Sequence, residues 1–479
     1  MTMDHGLASE GVTTLVWLLI AVMVVAVASK YVRIPYTVAL VIAGLVLTLV
    51  PTDLTIDLTP DVILFIFLPA LLFESAYHLD FSELKDNLRP IALLAVPGVL
   101  LTALFVAVIT YYAAGLTWET AILFGAIVSA TDPVSVLAIF RQMGAPRRLS
   151  VILEGESLFN DGTSLVLFRI VLGVVIAGAL GDFVLAVQEF LFVVAGGLLL
   201  GALIGFGVSL LLSRVNDYLI EIAMTLVVAY GTYLLAERVG VSGVIAVVVA
   251  ALVVGTYGHS VAMTPTTRAA IASSWEFFGF VANSLIFLLI GLEVNIEKLY
   301  QYWLPTILAI VAVLVVRAIV VVASSALLRF IHRPIPYRWQ SVLVWGGLRG
   351  SLSLAMALSL PLTLGPNEPF GDRDLILAMT FGVILFSLLA QGLTMSPLLN
   401  RLGLIHKTRM QEELETINNR KAMAASSLAE VETLSQSGDL SPDVAFQLRE
   451  AYSAELEALG DAEKLIAHEQ ELDIDAEEM

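Results

Sequence analysis

Three short stretches carry polar groups where an otherwise apolar chain should have none. In LEGESLFNDGTSLVLF, residues 153–168, Glu154, Ser157 and Asp161 fall at i, i+3 and i+7 of a helix, with Glu156 and Asn160 at i and i+4 on the neighbouring face. In SATDPVSV, residues 129–136, Asp132 stands directly before Pro133. Proline lacks an N–H and disfavours helical geometry in the residue before it, so a helix running from Thr117 should unwind near Ala130 to Asp132 and leave carbonyls free. If Pro133 opens a second half-helix, Asp132 is its N-cap, held by exposed N–H groups and the positive dipole end. In WGGLRGSLSLAMALSLP, residues 345–361, Gly346, Gly347 and Gly350 weaken the helix around Arg349 and suggest unwinding or close packing. Carboxylates, a hydroxyl and free carbonyls suit a hard cation, and carboxylates also take protons. Ser157 has no histidine nearby to activate it, which argues against a nucleophilic enzyme.

Each charge within an apolar span costs roughly 2.5–3.5 kcal/mol on insertion scales, so each needs a reason. Besides those above, Glu74, Arg169 and Arg317 lie well inside apolar runs and Glu276 nearer an end. A single such residue is readily a structural ion pair or a snorkelling side chain. Three acids on one helix point instead to a water-filled cavity or a protein-lined seam. Arg349 needs an anionic partner, for which Glu156 is the candidate; Arg169 and Arg317 are expected to be structural partners, and Glu154 stays open between access path and structure.

The elements that must position these groups are membrane helices. The chain of 479 residues is 58% hydrophobic and 14% charged and has no cysteine, which excludes disulfides and thiolate chemistry, and its six histidines show no ligand spacing. Apolar runs of bilayer length fall near 11–29, 36–51, 60–78, 90–113, 117–141, 149–178, 184–213, 218–237, 242–257, 270–297, 303–331, 337–363 and 374–400, thirteen in all. With the Lys30/Arg33 turn assigned to the cytoplasm, the inside loops collect twelve Lys and Arg and the outside loops three. That bias places residues 1–10 outside and the C-terminal tail inside. The interrupted spans, fifth and twelfth, hold the middle places of spans 4–6 and 11–13, as an inverted-repeat transporter requires. The expected fold is therefore an all-α polytopic membrane protein with two interrupted helices crossing in its core. Of the formal charge of −18, residues from Met410 onward contribute −14, with 4 Lys and Arg against 18 Asp and Glu. Phosphate attraction has no basic face to rest on, so nucleic-acid binding is not expected. The tail, 401–479, reads as an acidic helical hairpin turning at SQSGDLSPD, with Ser441 as N-cap and Pro442 in the first helical position.

Four segments in order, FLPALLFESAYHLD with Glu74, SATDPVSV, LEGESLFNDGTSLVLF and WGGLRGSLSLAMAL, resemble hallmark segments of the monovalent cation:proton antiporters of NhaP/NHE type, over nearly all of residues 11–400. The resemblance implies a thirteen-span bundle in the cell membrane, a mobile core of about 90–178 and 303–400, and a scaffold of about 11–78 and 184–297 that forms a homodimer. It implies Na⁺ exchanged for H⁺ with no further cofactor, Asp161 as the ion-binding carboxylate, and Asp132, Ser157, Glu74 and the Thr131 carbonyl completing the site. Asn160 would brace the unwound crossing, and Arg349 would pair with Glu156. Because burial strips solvation from a charged acid, proton and cation would compete for the same oxygens, giving electroneutral one-for-one alternating access. A proton-linked K⁺ or Li⁺ antiporter satisfies the same ligands; a cation channel shares the intramembrane acids but lacks a repeated filter sequence.

Overall fold

The computed structural model describes residues 4–32, 34–48, 60–177, 183–215, 217–258, 263–331, 333–363, 370–404, 409–437 and 440–478. Its regular elements are helices, as expected where lipid offers backbone groups no partner. The chain divides into two units, Met1–Leu402 and Gly403–Met479.

In the first unit, α1 (Asp4–Val32), α2 (Tyr36–Thr48) and α3 (Leu68–His78) come first, α3 being entered through a π-helical turn at Val62–Phe67. The short α4 (Phe81–Asp86) leads to α5 (Leu88–Ala95) and α6 (Pro97–Ala114). The fifth expected span is two half-helices, α7 (Trp118–Ile127) and α8 (Val134–Met143). Thr117 caps α7 by accepting from Thr120 N–H, and Gly144, with φ of 66°, closes α8 in the left-handed conformation that glycine adopts without strain. Then follow α9 (Arg147–Ala177), α10 (Phe183–Leu212), α11 (Tyr218–Val239) and α12 (Gly243–Val253), the last running into a π-helical turn at Val254–Gly258. Thr264 and Pro265 start α13 (Pro265–Leu292), and α14 (Ile296–Gln301) links it to α15 (Trp303–Ile331). The twelfth expected span is again broken, into α16 (Tyr337–Trp345) and α17 (Ser351–Leu358). α18 (Arg373–Phe386) passes through a π-helical turn at Ser387–Gln391 into α19 (Gly392–Leu402).

Among the described residues, helix occupies every range read from the sequence as a span, and seven stretches are long and apolar enough to cross a bilayer on their own. Lipid tails are as apolar as leucine, so such helices associate through close packing. Gly44 of α2 and Gly291 of α13 show this: a Cβ at either would strike the other helix's backbone.

The second unit is the expected hairpin. α20 (Arg409–Ser437) and α21 (Pro442–Glu478) pack through Ala424, Val431, Ala445 and Leu459. Arg420 to Glu455 at 2.8 Å and Lys421 to Glu463 at 2.5 Å tie them together. Pro442 takes the first helical position, as the sequence suggested, while residues 438–439 of the turn lie outside the described set.

Candidate functional site

The two broken helices meet at their breaks. Asp132 donates its N–H to the Leu348 carbonyl at 2.9 Å, and Ser353 Oγ of α17 donates to the Ile127 carbonyl that ends α7, at 2.8 Å. The Asp132 carboxylate accepts the Val134 N–H at 3.1 Å and the backbone N–H of Ser351. One acid therefore faces the N-terminal ends of both α8 and α17, where free N–H groups and the helix dipoles compensate its charge. The expected N-cap is corrected by one residue: α8 begins at Val134, Pro133 stands at its N-cap, and Asp132 before it still accepts the Val134 N–H. Gly350 makes the arrangement possible: a Cβ there would land on the Asp132 carboxylate.

α9 passes behind the crossing and fixes the unwound strand with its polar stripe. Ser157 Oγ donates to the Thr131 carbonyl at 2.5 Å, Thr131 N–H donates to Asn160 Oδ1 at 3.2 Å, and Asn160 Nδ2 donates to Thr131 Oγ1 at 2.5 Å. Both faces of the asparagine amide are thus used on one residue of the break.

Between these elements lies a cavity of about 60 Å³ whose wall includes Thr131, Asp132, Glu154, Ser157, Asp161 and Asn283. A water needs roughly 10–15 Å³ by this measure, so a small cation with a few waters fits. Asp161 is half-buried, and among the described residues its carboxylate has no hydrogen-bond donor. It differs in that from Asp132, which shares the cavity but has two N–H donors.

Of the residues singled out in the sequence, Asp132, Asp161, Ser157 and Thr131 come together at this wall, with Asn160 bracing it. Glu74, expected to complete the set, does not reach it. Leu68, Leu71, Leu72 and Ser75 form the cavity face of α3, and Glu74 lies a helical step of about 100° away from Ser75. Its carboxylate accepts from Ser75 Oγ at 3.3 Å, sits 3.6 Å from His78 Nδ1 and packs on Gly279 of α13. Glu154, left open by the sequence, is on the wall. Asn283, not among the residues the sequence singled out, is also on the wall; its signal is an amide inside the apolar run of α13.

The expected Arg349–Glu156 pair is corrected by the geometry. Glu156, 1% exposed, is paired with both terminal nitrogens of Arg317, Nη2 reaching Oε2 at 3.0 Å. The physical reason is that Arg317 approaches from α15 and also donates Nε and Nη2 to the Leu343 carbonyl near the end of α16, at 3.2 and 3.0 Å. Arg349 has its backbone N–H on Ser387 Oγ and folds its guanidinium back, Nη1 donating to the Gly347 carbonyl at 3.2 Å. Arg169 has the structural partner expected of it: the two oxygens of Glu237 on α11 lie 3.0 and 2.9 Å from its Nη1.

Fold and site together describe a polytopic α-helical membrane protein with a polar cavity between broken helices. The family model described as "Sodium/hydrogen exchanger, transmembrane" matches residues 18–401. The Na⁺/H⁺ antiporter ApNhaP of Aphanothece halophytica is 42% identical over 399 residues, covering 83% of this chain and 75% of the relative. The Na⁺/H⁺ antiporter NhaP of Pseudomonas aeruginosa is 38% identical over 405 residues, covering 78% and 92%. The solved structure of the sodium proton antiporter MjNhaP1 from Methanocaldococcus jannaschii superposes with a TM-score of 0.68 over 82% of this chain and 99% of its own, at 20% identity, and so shares the fold. The chain belongs to the sodium/hydrogen exchanger family, a family of transporters rather than enzymes.

Proposed function

We propose that the chain is a secondary antiporter exchanging Na⁺ for H⁺ by alternating access. The observation that carries this reading is the convergence of Asp161, Asp132, Ser157 and the Thr131 carbonyl on one cavity at the crossing of two broken helices. The relatives that are 42% and 38% identical are both named as Na⁺/H⁺ antiporters, which supports the choice of ions.

In this mechanism Asp161 holds either the cation or the proton: it is a wall carboxylate without a donor of its own, on the same helix as Ser157 and facing the same cavity. Ser157, whose O–H is turned to Thr131, offers its lone pairs to a cation, and Asp132 supplies negative charge from a position fixed by two helix ends. Glu154, on the cavity wall, adds negative charge that draws cations inward. The occupied site is close to neutral and can move between inward and outward positions, whereas the vacant charged site is held back by the cost of desolvation. The moving part is 90–178 with 303–400, against a dimerising scaffold of 11–78 and 184–297 in the cell membrane, N-terminus outside and C-terminus in the cytoplasm.

Purified protein in liposomes with an internal acid load and a pH-sensitive dye tests this. Added Na⁺ should collapse the gradient saturably, more effectively than K⁺ at equal concentration. A response to K⁺ that exceeds the response to Na⁺ makes the K⁺ antiporter the better reading, and Na⁺ flux that does not saturate and moves no protons makes it a channel.

A further inference from the structure

A second, smaller cavity of about 10 Å³ lies against Arg349 and Arg317, and it shares no wall residue with the first. That is room for roughly one water-sized body. Its polar wall consists of Arg317, Arg349, Ser387 and Gln391, with apolar side chains elsewhere and no carboxylate. Ser387 Oγ donates to the Ile384 carbonyl at 2.9 Å and Gln391 Nε2 to the Trp345 carbonyl at 3.0 Å, so both are oriented by backbone.

Two observations show that this place is short of negative charge. Arg349 is 1% exposed, yet of the five N–H donors of a guanidinium only one, on Nη1, has a partner among the described residues, and Nε has none. The charged groups acting on it are Arg317 and Glu156, and Glu156 already has both oxygens on Arg317. Two guanidiniums against one carboxylate leave one positive charge uncompensated in a dry core, an expensive state. A water would satisfy donors but not the charge, and sulfate or phosphate is far larger than the space, whereas a monatomic halide exceeds a water only modestly.

We propose that the cavity between Arg349 and Arg317 binds one small monovalent anion, a halide such as chloride, as a fixed counter-ion of the core that is not transported. The proposal does not depend on which cation the neighbouring cavity takes.

Bromide, with its anomalous signal, is the direct probe. Crystals of the full chain grown in bromide should show one bromine peak within reach of both guanidiniums. In detergent at constant ionic strength, replacing gluconate by chloride or bromide should raise the melting temperature saturably, and Val383→Ile, which adds one methylene to the wall, should abolish that rise while the protein stays folded. Absence of the bromine peak, or a halide effect that survives Val383→Ile, overturns the proposal; in the first case a water completes Arg349, and in the second the halide acts elsewhere.

Discussion

Asp161 and Asp132 share a cavity but not an environment, and that difference makes separable predictions. Asp161→Asn removes the exchangeable charge and should abolish Na⁺-driven dye recovery, with unchanged gel-filtration behaviour and melting temperature, because it has no hydrogen-bond donor to lose. Asp132→Asn should abolish exchange and also lower stability, since its carboxylate accepts N–H groups from two helix ends, each such bond contributing about 1–2 kcal/mol. Competition of one proton with one cation at Asp161 sets the pH dependence: KM for Na⁺ should rise about tenfold per pH unit on the acid side while the maximal rate holds. A KM independent of pH would remove the shared site. The residue types at this site were legible in the sequence, because an intramembrane acid is costly wherever it stands. Which acid faces the cavity was less so. Glu154 was readable from the stripe it forms with Ser157 and Asp161, but Glu74 was misplaced because the rotation of α3 is set by its packing on α13, where Gly279 leaves room for the glutamate.

At the scale of elements, the breaks were predictable and the partners across them were not. Pro133 and the glycines around Arg349 act locally, so the unwinding of 130–133 and 347–350 follows from covalent geometry. Glu156 and its partner were chosen from two arginines, in apolar runs 161 and 193 residues away along the chain, and only the course of α15 past α9 decides for Arg317. Gly350→Ala tests the crossing. In an ordinary helix interior this exchange stabilises by up to about 1 kcal/mol, but here the added methyl meets the Asp132 carboxylate, so the sign should reverse. Exchange should be lost and the melting temperature should fall; unchanged transport would mean that the two breaks are not in register during turnover. Breaking the buried pair with Glu156→Gln should cost about 3–5 kcal/mol, measured by denaturant unfolding, because Arg317 is left charged and desolvated. The same substitution in an Arg317→Met background should cost much less.

The whole molecule sets the charge carried per turnover. The acidic hairpin is a separate unit from Gly403 onward, and the net −14 of its residues from Met410 on lies outside the segment that the exchanger family model covers, 18–401. A chain ending at Leu402 should therefore retain exchange in liposomes, with any loss confined to regulation. Within the first unit, one of the two cavity aspartates, Asp132, is committed to N–H donors at two helix ends, and the other, Asp161, is free of donors among the described residues. If only the free one changes occupancy, each half-cycle carries a carboxylate neutralised by one Na⁺ or by one H⁺, and the moving core bears the same net charge in both directions. Exchange should then be one for one and insensitive to voltage. Liposomes clamped with K⁺ and valinomycin provide the measurement: at a fixed Na⁺ and proton gradient, the initial rate should be the same at inside-negative, zero and inside-positive potentials. With both gradients at zero, an imposed potential should move no protons. Proton movement driven by potential alone would mean that Asp132 also releases its charge during the cycle, and that the two helix ends holding it separate when the core moves.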